Sequence, residues 1–307
     1  MENLITMEQV SKSFGSVRAV DQVSVSLGKG EILGFLGPNA SGKTTTVRLL
    51  NGVIFPDDGV IRVMGYDSVK DGNEIRRRSG VLTETASLYD HMTAGENLMF
   101  FAKLYGVATD TAKKRSDDLL ERFHLSDRQK QKTGTFSTGL KKRLGIAKAL
   151  IHNPEILYLD EPTSGLDPES ARDLIRYIKE LNSGRLTVFV CTHNLAEAEH
   201  FCTRFVFLDK GRVIEGGTLA ELEEKYEGSV TLRIDYRGDI GTALPHEVAW
   251  KPLSGNAAYD SARLTVATKK QVPAVIRALA EKVDLYRVEQ TNSGLESLYF
   301  AIRRQAK

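Results

Sequence analysis

Cysteine is nearly absent. The 307 residues hold only Cys191 and Cys202, too few for a disulfide scaffold and in keeping with a reducing compartment. No apolar run approaches the roughly 18 residues that a membrane-spanning helix needs, so the chain is not expected to cross a bilayer by itself. Large charge of one sign is also missing: 42 basic residues stand against 40 acidic ones, a formal net charge of +2. That balance gives no polyanion-binding signature, and nucleic acid is not an expected partner. Short basic runs at Arg76-Arg77-Arg78 and Lys141-Lys142-Arg143 read as solvated helix faces. The opening residues, Met1-Glu2-Asn3-Leu4, have no basic stretch leading into an apolar core, so no leader peptide is expected. An apolar content of 41% and a charged content of 27% are those of a globular protein, and the length allows two domains.

What the chain does have is a phosphate-loop motif. Gly37-Pro38-Asn39-Ala40-Ser41-Gly42-Lys43-Thr44-Thr45 follows the apolar run Ile32–Leu36 and leads into a helical pattern through Val47, Leu49 and Leu50. Strand, glycine-bounded loop and helix with Lys-Thr at its mouth match G-x-x-x-x-G-K-[ST] in its required context. The glycines let the backbone curl so that successive N–H groups point inward, and the helix N-terminus adds positive potential. Lys43 is then placed to reach the β- and γ-phosphates, and the Thr44 hydroxyl to ligate Mg²⁺. The expected ligand is a nucleoside triphosphate.

Downstream, Ile156-Leu157-Tyr158-Leu159 runs into Asp160-Glu161. Such a run reads as a buried parallel strand, and two carboxylates at its end are costly without a partner. Mg²⁺ held by Asp160, directly or through water, supplies that partner and leaves Glu161 to activate a water for attack on the γ-phosphate. Ser137 and Gly139, opening a helix through Leu144, Ala147 and Leu150, make a second anion-friendly N-terminus or an ordinary cap. Asp167-Pro168 reads as the N-cap and first residue of a helix with Ala171, Leu174, Ile175, Ile178 and Leu181 inward, ended by Gly184. A strand over 186–191 delivers Thr192 and His193 at its carboxyl end, where an open α/β sheet binds ligands. Phe14, in a turn upstream of the loop, reads either as a packing residue or as a ring stacked on adenine.

The remaining elements follow from periodicity and turn chemistry. Strands are expected at 4–10, 17–20, 23–27 and 32–36, and segments 53–55 and 60–64 flank Asp57-Asp58-Gly59 as a hairpin. Thr93-Ala94-Gly95-Glu96 is a capping box opening a helix with Leu98, Phe101, Ala102 and Tyr105 on one face. A polar helix spans about 110–125, a sheet edge closes at 213–214, and 219–226 is a short helix. Composition then changes. Residues 228–307 alternate at Val230, Leu232, Ile234 and Tyr236, with further strands near 264–266 and 285–288 and helices over 272–283 and 295–302, a small α+β module.

In order and spacing, the phosphate loop, Ser137/Gly139, Asp160-Glu161, Ser164-Gly165-Leu166-Asp167 and His193 resemble the motifs of ABC-type ATPases over residues 4 to about 220. The subtype is similar to the separate ATP-binding subunit of bacterial ABC exporters, and Gly294-Leu295-Glu296-Ser297-Leu298-Tyr299-Phe300 is similar to the C-terminal extension common there. The resemblance implies an α/β P-loop NTPase fold with a core parallel sheet, an antiparallel β subdomain and a helical subdomain at about 84–150. The domains would be 1–220 and 228–307. It implies two copies that sandwich two ATP molecules head to tail. Lys43 and Thr44 of one copy and Ser137 and Gly139 of the other would grip the same nucleotide, with ATP and Mg²⁺ as the bound species. Glu161 would polarise the water, His193 would contact the γ-phosphate, and Asp167 would link the two sites.

The same resemblance implies an integral-membrane permease as partner, and a location in the cytoplasm at the inner face of the membrane. Residues 84–105 are the expected docking surface, with Leu88, Tyr89 and Met92 as candidate contacts. Two departures stand out. Phe136-Ser137-Thr138-Gly139-Leu140 replaces the family's Leu-Ser-Gly-Gly-Gln, and Glu84 stands where the family has a glutamine that touches Mg²⁺. Glu84 can ligate Mg²⁺ through oxygen but adds negative charge beside the γ-phosphate, so a competent site with hydrolysis either slower or more dependent on the partner is expected. A soluble ABC ATPase acting on nucleic acid or ribosomes would carry a coiled coil, zinc-binding cysteines or two cassettes, none of which is visible. A small-molecule kinase would leave Ser137 and Asp167 without purpose.

Overall fold

The computed structural model describes residues 3–182, 186–226, 230–241, 243–244, 248–254, 258–291 and 294–305. The helix stop expected at Gly184 lies outside them. The chain divides into two compact units, Met1–Thr218 and Leu219–Lys307, so the short helix that begins at Leu219 opens the second unit.

The first unit begins with β1 (Asn3–Phe14) and β2 (Val17–Gly28), long antiparallel partners where the sequence suggested shorter pieces. Register shifts at Met7/Val10 and Val10/Lys12 absorb the irregular stretches, which is how bulges keep a strand continuous. Then follow β3 (Ile32–Leu36), α1 (Lys43–Leu50), β4 (Asp58–Val63), β5 (Tyr66–Asp67), α2 (Gly72–Arg77) and β6 (Ser79–Leu82). Three helices come next, α3 (Ala94–Leu104), α4 (Thr109–Arg122) and α5 (Thr138–Leu150), and pack on one another. The unit ends with β7 (Ile156–Asp160), α6 (Pro168–Asn182), β8 (Thr187–Thr192), α7 (Leu195–Phe201), β9 (Arg204–Asp209) and β10 (Arg212–Gly217).

Two sheets result. One is antiparallel, in the order β2-β1-β4-β5; the other runs β10-β9-β3-β8-β7-β6. In the second, β9, β3, β8, β7 and β6 are parallel and β10 is an antiparallel edge. The strands β3, β7 and β8 are buried along their whole length, as expected of parallel strands covered on both faces. Leu33, Phe35, Tyr158 and Phe189 share one core with Ile5, Met7, Leu27 and Ile61 of the antiparallel sheet and with Leu49 and Leu50 of α1. The phosphate-loop helix is thus held by apolar contacts with both sheets.

The hairpin expected around Asp57-Asp58-Gly59 does not form. Residues 53–55 are not a strand, and β4 pairs with β1 instead, Ser11 opposite Asp58 and Glu8 opposite Val60. The Asp57 carboxylate explains the choice: it accepts from the Ser13 N–H at 2.6 Å and from the Lys12 ammonium at 2.6 Å. Gly59, at φ 87°, presses against the Gln9 backbone, so the glycine serves a close strand approach rather than a turn. The capping box at Thr93 and Glu96 forms as expected, with both reciprocal bonds present.

The second unit contains α8 (Leu219–Lys225), β11 (Val230–Arg237), β12 (Ala249–Leu253), β13 (Asp260–Val266), α9 (Val272–Ala280), β14 (Asp284–Gln290) and α10 (Leu295–Gln305). Its sheet is antiparallel in the order β12-β13-β11-β14. Val230, Leu232, Ile234 and Tyr236 are buried as their alternation requires, and Val275 and Leu279 of α9 join their core. The sequence reading overlooked β12, which carries Pro252; an edge position tolerates the missing N–H.

One contact inside the first unit titrates. The Tyr105 ring stacks on His152 at 3.8 Å and 4°, and His152 Nε2 donates to the Ser79 carbonyl at 3.1 Å, since a carbonyl only accepts. Burial is the main cause that pushes the His152 imidazole down to about 4. The folded state therefore keeps a neutral ring where the unfolded chain takes up a proton, so this contribution is complete above about pH 6.5 and is lost as pH falls toward 4. His152→Phe is expected to flatten that part of the stability curve, checked by urea unfolding of both proteins from pH 4 to pH 7.

Candidate functional site

Strand register gathers the site. Leu36 lies beside Thr192, and Asp160 beside Cys191, so the phosphate loop, Thr192-His193 and Asp160-Glu161 all leave the parallel sheet at its carboxyl edge. Backbone packing then shapes the loop. A side chain at Gly37 would collide with the Leu208 carbonyl, and one at Gly42 with the Ala19 carbonyl; Gly42 also sits at φ 107°, where other residues are strained. Gly37, Pro38 and Ser41 form the back of the loop. Asn39, Ala40, Gly42, Lys43, Thr44 and Thr45 line a cavity of about 710 Å³ together with Glu84, Asp160, Glu161, Ser164 and His193.

Inside this cavity Glu161 stands within ion-pair distance of both Lys43 and His193, and Asp160 meets a hydroxyl. Lys43 is 6% exposed; its ammonium donates to the Gly37 carbonyl at 2.8 Å and the Pro38 carbonyl at 3.0 Å, and stands 3.5 Å from Glu161 Oε1. Thr44 Oγ1 donates to Asp160 Oδ2 at 2.8 Å. Burial pushes the Asp160 carboxyl up, while the Thr44 hydrogen bond lowers it. Glu161 Oε2 accepts from the Thr192 hydroxyl at 3.0 Å, and Oε1 lies 2.9 Å from His193 Nδ1. The Glu161 backbone is at φ 48°, a region sparsely used by residues other than glycine and often found at working sites.

A divalent cation fits these residues. Asp160 is a buried carboxylate whose one hydrogen bond comes from a neutral hydroxyl, a donor set suited to a hard cation. Among the described residues no three His, Cys, Asp or Glu side chains converge on one metal position. Glu84 borders the same cavity as Thr44 and Asp160.

Ser137, Gly139 and Asp167 form a second group. The Ser137 hydroxyl caps α5, accepting from the Leu140 N–H at 3.3 Å, which leaves its O–H free to donate. The Asp167 carboxylate caps α6 through the Glu169 N–H (3.1 Å) and the Ser170 N–H (2.9 Å). Hydrogen bonds from Ser170 are the main cause that lowers its carboxyl. Gly139 lies against Ser170 and Leu166. Neither Ser137, Gly139 nor Asp167 lines the phosphate-loop cavity of their own chain. Phe14 does not line it either; its ring is exposed and lies under the Lys12 ammonium at 5.7 Å, while Val17, Arg18 and Ala19 form that wall.

Two lysines were hidden in the sequence. The run Lys141-Lys142-Arg143 is not a solvated face: Lys141 pairs with Asp90 at 2.8 Å and Arg143 with Asp173 at 2.8 Å. Lys142 is buried, with its ammonium on the Glu161 carbonyl at 2.9 Å. The signal was helical spacing, since Lys142 falls three and four residues before Gly145 and Ile146 on the buried side of α5. Arg76 likewise turns inward, onto the Asn51 and Gly52 carbonyls. Lys148 donates to the Ala86 carbonyl (2.7 Å) and the Ser87 carbonyl (3.2 Å), and so fastens the loop that carries Glu84. Burial pushes its ammonium down to about 8.

A second cavity, of about 480 Å³, opens beside the first. Arg48, Asn51, Val53, Arg76, Thr85 and Tyr105 line it together with Thr44, Glu84 and Asp160. Near it is an aromatic group in which Tyr89 meets Phe100 at 5.0 Å and Phe101 at 5.8 Å. Tyr89 is 41% and Leu104 69% exposed, whereas Leu88 and Met92 are half-buried.

Comparison with known proteins agrees with this geometry. The ABC transporter family matches residues 20–164. The linearmycin resistance ATP-binding protein LnrL of Bacillus subtilis is 38% identical over 76% of this chain and 76% of its own length. The daunorubicin resistance ATP-binding protein DrrA3 of Streptomyces coeruleorubidus is 34% identical over 99% of this chain and 93% of its own. Among solved structures, the dimeric post-hydrolysis state of the ATP-binding cassette MJ0796 with ADP and Pi aligns at a TM-score of 0.63 and 26% identity, covering 70% of this chain and 98% of that one. These likenesses favour transport over work on nucleic acid. The chain belongs to the ABC transporter family and is an ATP-hydrolysing motor subunit of such a transporter.

Proposed function

We propose that ATP joins two copies of this chain head to tail, and that this closure drives a separate permease which exports a toxic compound. The observation that supports the dimer is the placement of Ser137 and Gly139, an anion-suited helix start that lies off the cavity of its own chain. A second copy in the opposite orientation brings that helix start to the γ-phosphate held by Lys43. Burying triphosphate between two helix N-termini makes closure depend on ATP, and hydrolysis reverses it.

Within each site the contacts of Lys43, Asp160 and Glu161 support the following roles. The loop N–H groups and Lys43 bind the phosphates. Glu161, aimed by Thr192 and His193, takes the proton of the attacking water. His193 contacts the γ-phosphate, Asp167 connects the two sites, and Phe14, whose exposed ring lies outside the cavity lining, is available to stack on an adenine that reaches past it. Thr44 and Asp160, with Glu84, would hold Mg²⁺, which when bound neutralises triphosphate charge. The cavity at Arg48 and Tyr105 and the exposed Tyr89 and Leu104 support a permease-docking surface, with the subunit held at the cytoplasmic side of the membrane by that partner. Among the described residues no helix is long and apolar enough to cross a membrane. The names of LnrL and DrrA3 support export of a compound toxic to the cell.

Glu161→Gln is expected to bind ATP and form a stable dimer on size-exclusion chromatography, with turnover lowered about 100-fold or more; a monomer at saturating ATP would refute the sandwich. Glu84→Gln is expected to raise turnover a few-fold and change its Mg²⁺ dependence, because one negative charge leaves the phosphate site. If neither moves in a phosphate-release assay, Glu84 has no such role. Co-purification from detergent-solubilised membranes should yield a stoichiometric polytopic membrane protein, and Leu104→Glu should lose it while ATP binding stays intact.

A further inference from the structure

Lys142 is 3% exposed, yet the group that accepts its hydrogen bond is a carbonyl, that of Glu161, and not a carboxylate. A buried ammonium on a neutral acceptor carries a desolvation cost that one hydrogen bond does not offset. The acceptor is also unusual, because it belongs to the residue at φ 48° whose side chain faces His193 and Thr192. Lys142 therefore braces a strained turn from the far side, reaching across from α5.

Glu84, an exposed residue, brings charge of the opposite sign to the cavity that Lys142 lines. Lys142 and Glu84 line a common cavity of about 370 Å³ with Thr138 and Lys141. Glu84 also borders the phosphate-loop cavity and the cavity at Tyr105, so this one carboxylate sits where all three meet. Asp160, Glu161 and Glu84 place three carboxylates around the phosphate-loop cavity, against Lys43, Lys210 and Arg18, the last of these paired with Asp21 at 2.8 Å. Burial lowers the Lys142 ammonium, and Glu84 heads the carboxylates that oppose this, ahead of Asp160 and Glu161.

We propose that Lys142 is a positioning residue of the hydrolytic site: its N–H donor holds the turn at Glu161, and its charge is the counter-charge that allows a carboxylate at position 84. The inference rests on Glu161 being the group that activates water. Lys142 touches neither nucleotide nor metal in this account and acts through its two neighbours.

The test uses the full chain and compares Lys142→Gln, Lys142→Met, Lys142→Arg, Glu84→Gln and the Lys142→Gln/Glu84→Gln double variant, each with thermal melting to verify folding. Binding of a fluorescent ATP analogue in EDTA reads charge without metal or turnover. Lys142→Gln is expected to weaken that binding about fivefold when Glu84 is present and hardly at all in the Glu84→Gln background, while Lys142→Arg binds normally. An equal loss in both backgrounds overturns the counter-charge. In steady-state hydrolysis, Lys142→Met, which lacks the donor, should lower kcat about tenfold more than Lys142→Gln at similar KM. Equal kcat for the two overturns the brace. If Lys142→Met does not fold, Lys142→Leu in the Glu84→Gln background carries the same kcat comparison. Glu161→Gln serves as the control for the underlying reading: hydrolysis that survives it refutes the role of Glu161 whatever Lys142 does.

Discussion

Charge taken out of water at the carboxyl ends of β3, β7 and β8 is what the first unit has to support. Lys43 spends its hydrogen bonds on the loop carbonyls and stands within ion-pair distance of Glu161, while Asp160 is matched by a hydroxyl alone. Such groups are tolerable in a protein interior only with fixed partners. The fixing comes from the apolar core that clamps α1 between two sheets. Loss of that clamp would let the loop relax, and the buried charges would have no geometry to hold them.

The helical part of the unit is tied to this centre by polar threads. Lys142 reaches the Glu161 carbonyl, and Lys148 reaches the Ala86 and Ser87 carbonyls. Both start from α5, the helix whose N-cap is Ser137. One helix thereby connects its own Ser137 cap, the loop bearing Glu84 and the turn bearing Glu161.

Legibility in the sequence varied with the range of the cause. The capping box at Thr93, the Asp167-Pro168 helix start and the alternation in β11 are set by neighbours a few residues away, and each formed as read. The Asp57-Asp58-Gly59 hairpin failed because the decisive partner of Asp57 is Ser13, far off in sequence. Lys142 looked like solvent-facing charge because a basic run does not declare which of its members turns inward; only the spacing to Gly145 and Ile146 hinted at it. In the second unit, Pro252 masked β12.

The sequence by itself determined the chemistry: a phosphate loop between strand and helix, carboxylates at a strand end, and a hydroxyl-glycine helix start, since each depends on local backbone geometry and residue type. Only the tertiary structure decided which of these groups meet. It placed His193 and Thr192 on Glu161, kept Ser137 and Asp167 away from Lys43, and buried Lys142 against the turn at Glu161, because strand register and helix packing bring together residues that no spacing rule connects.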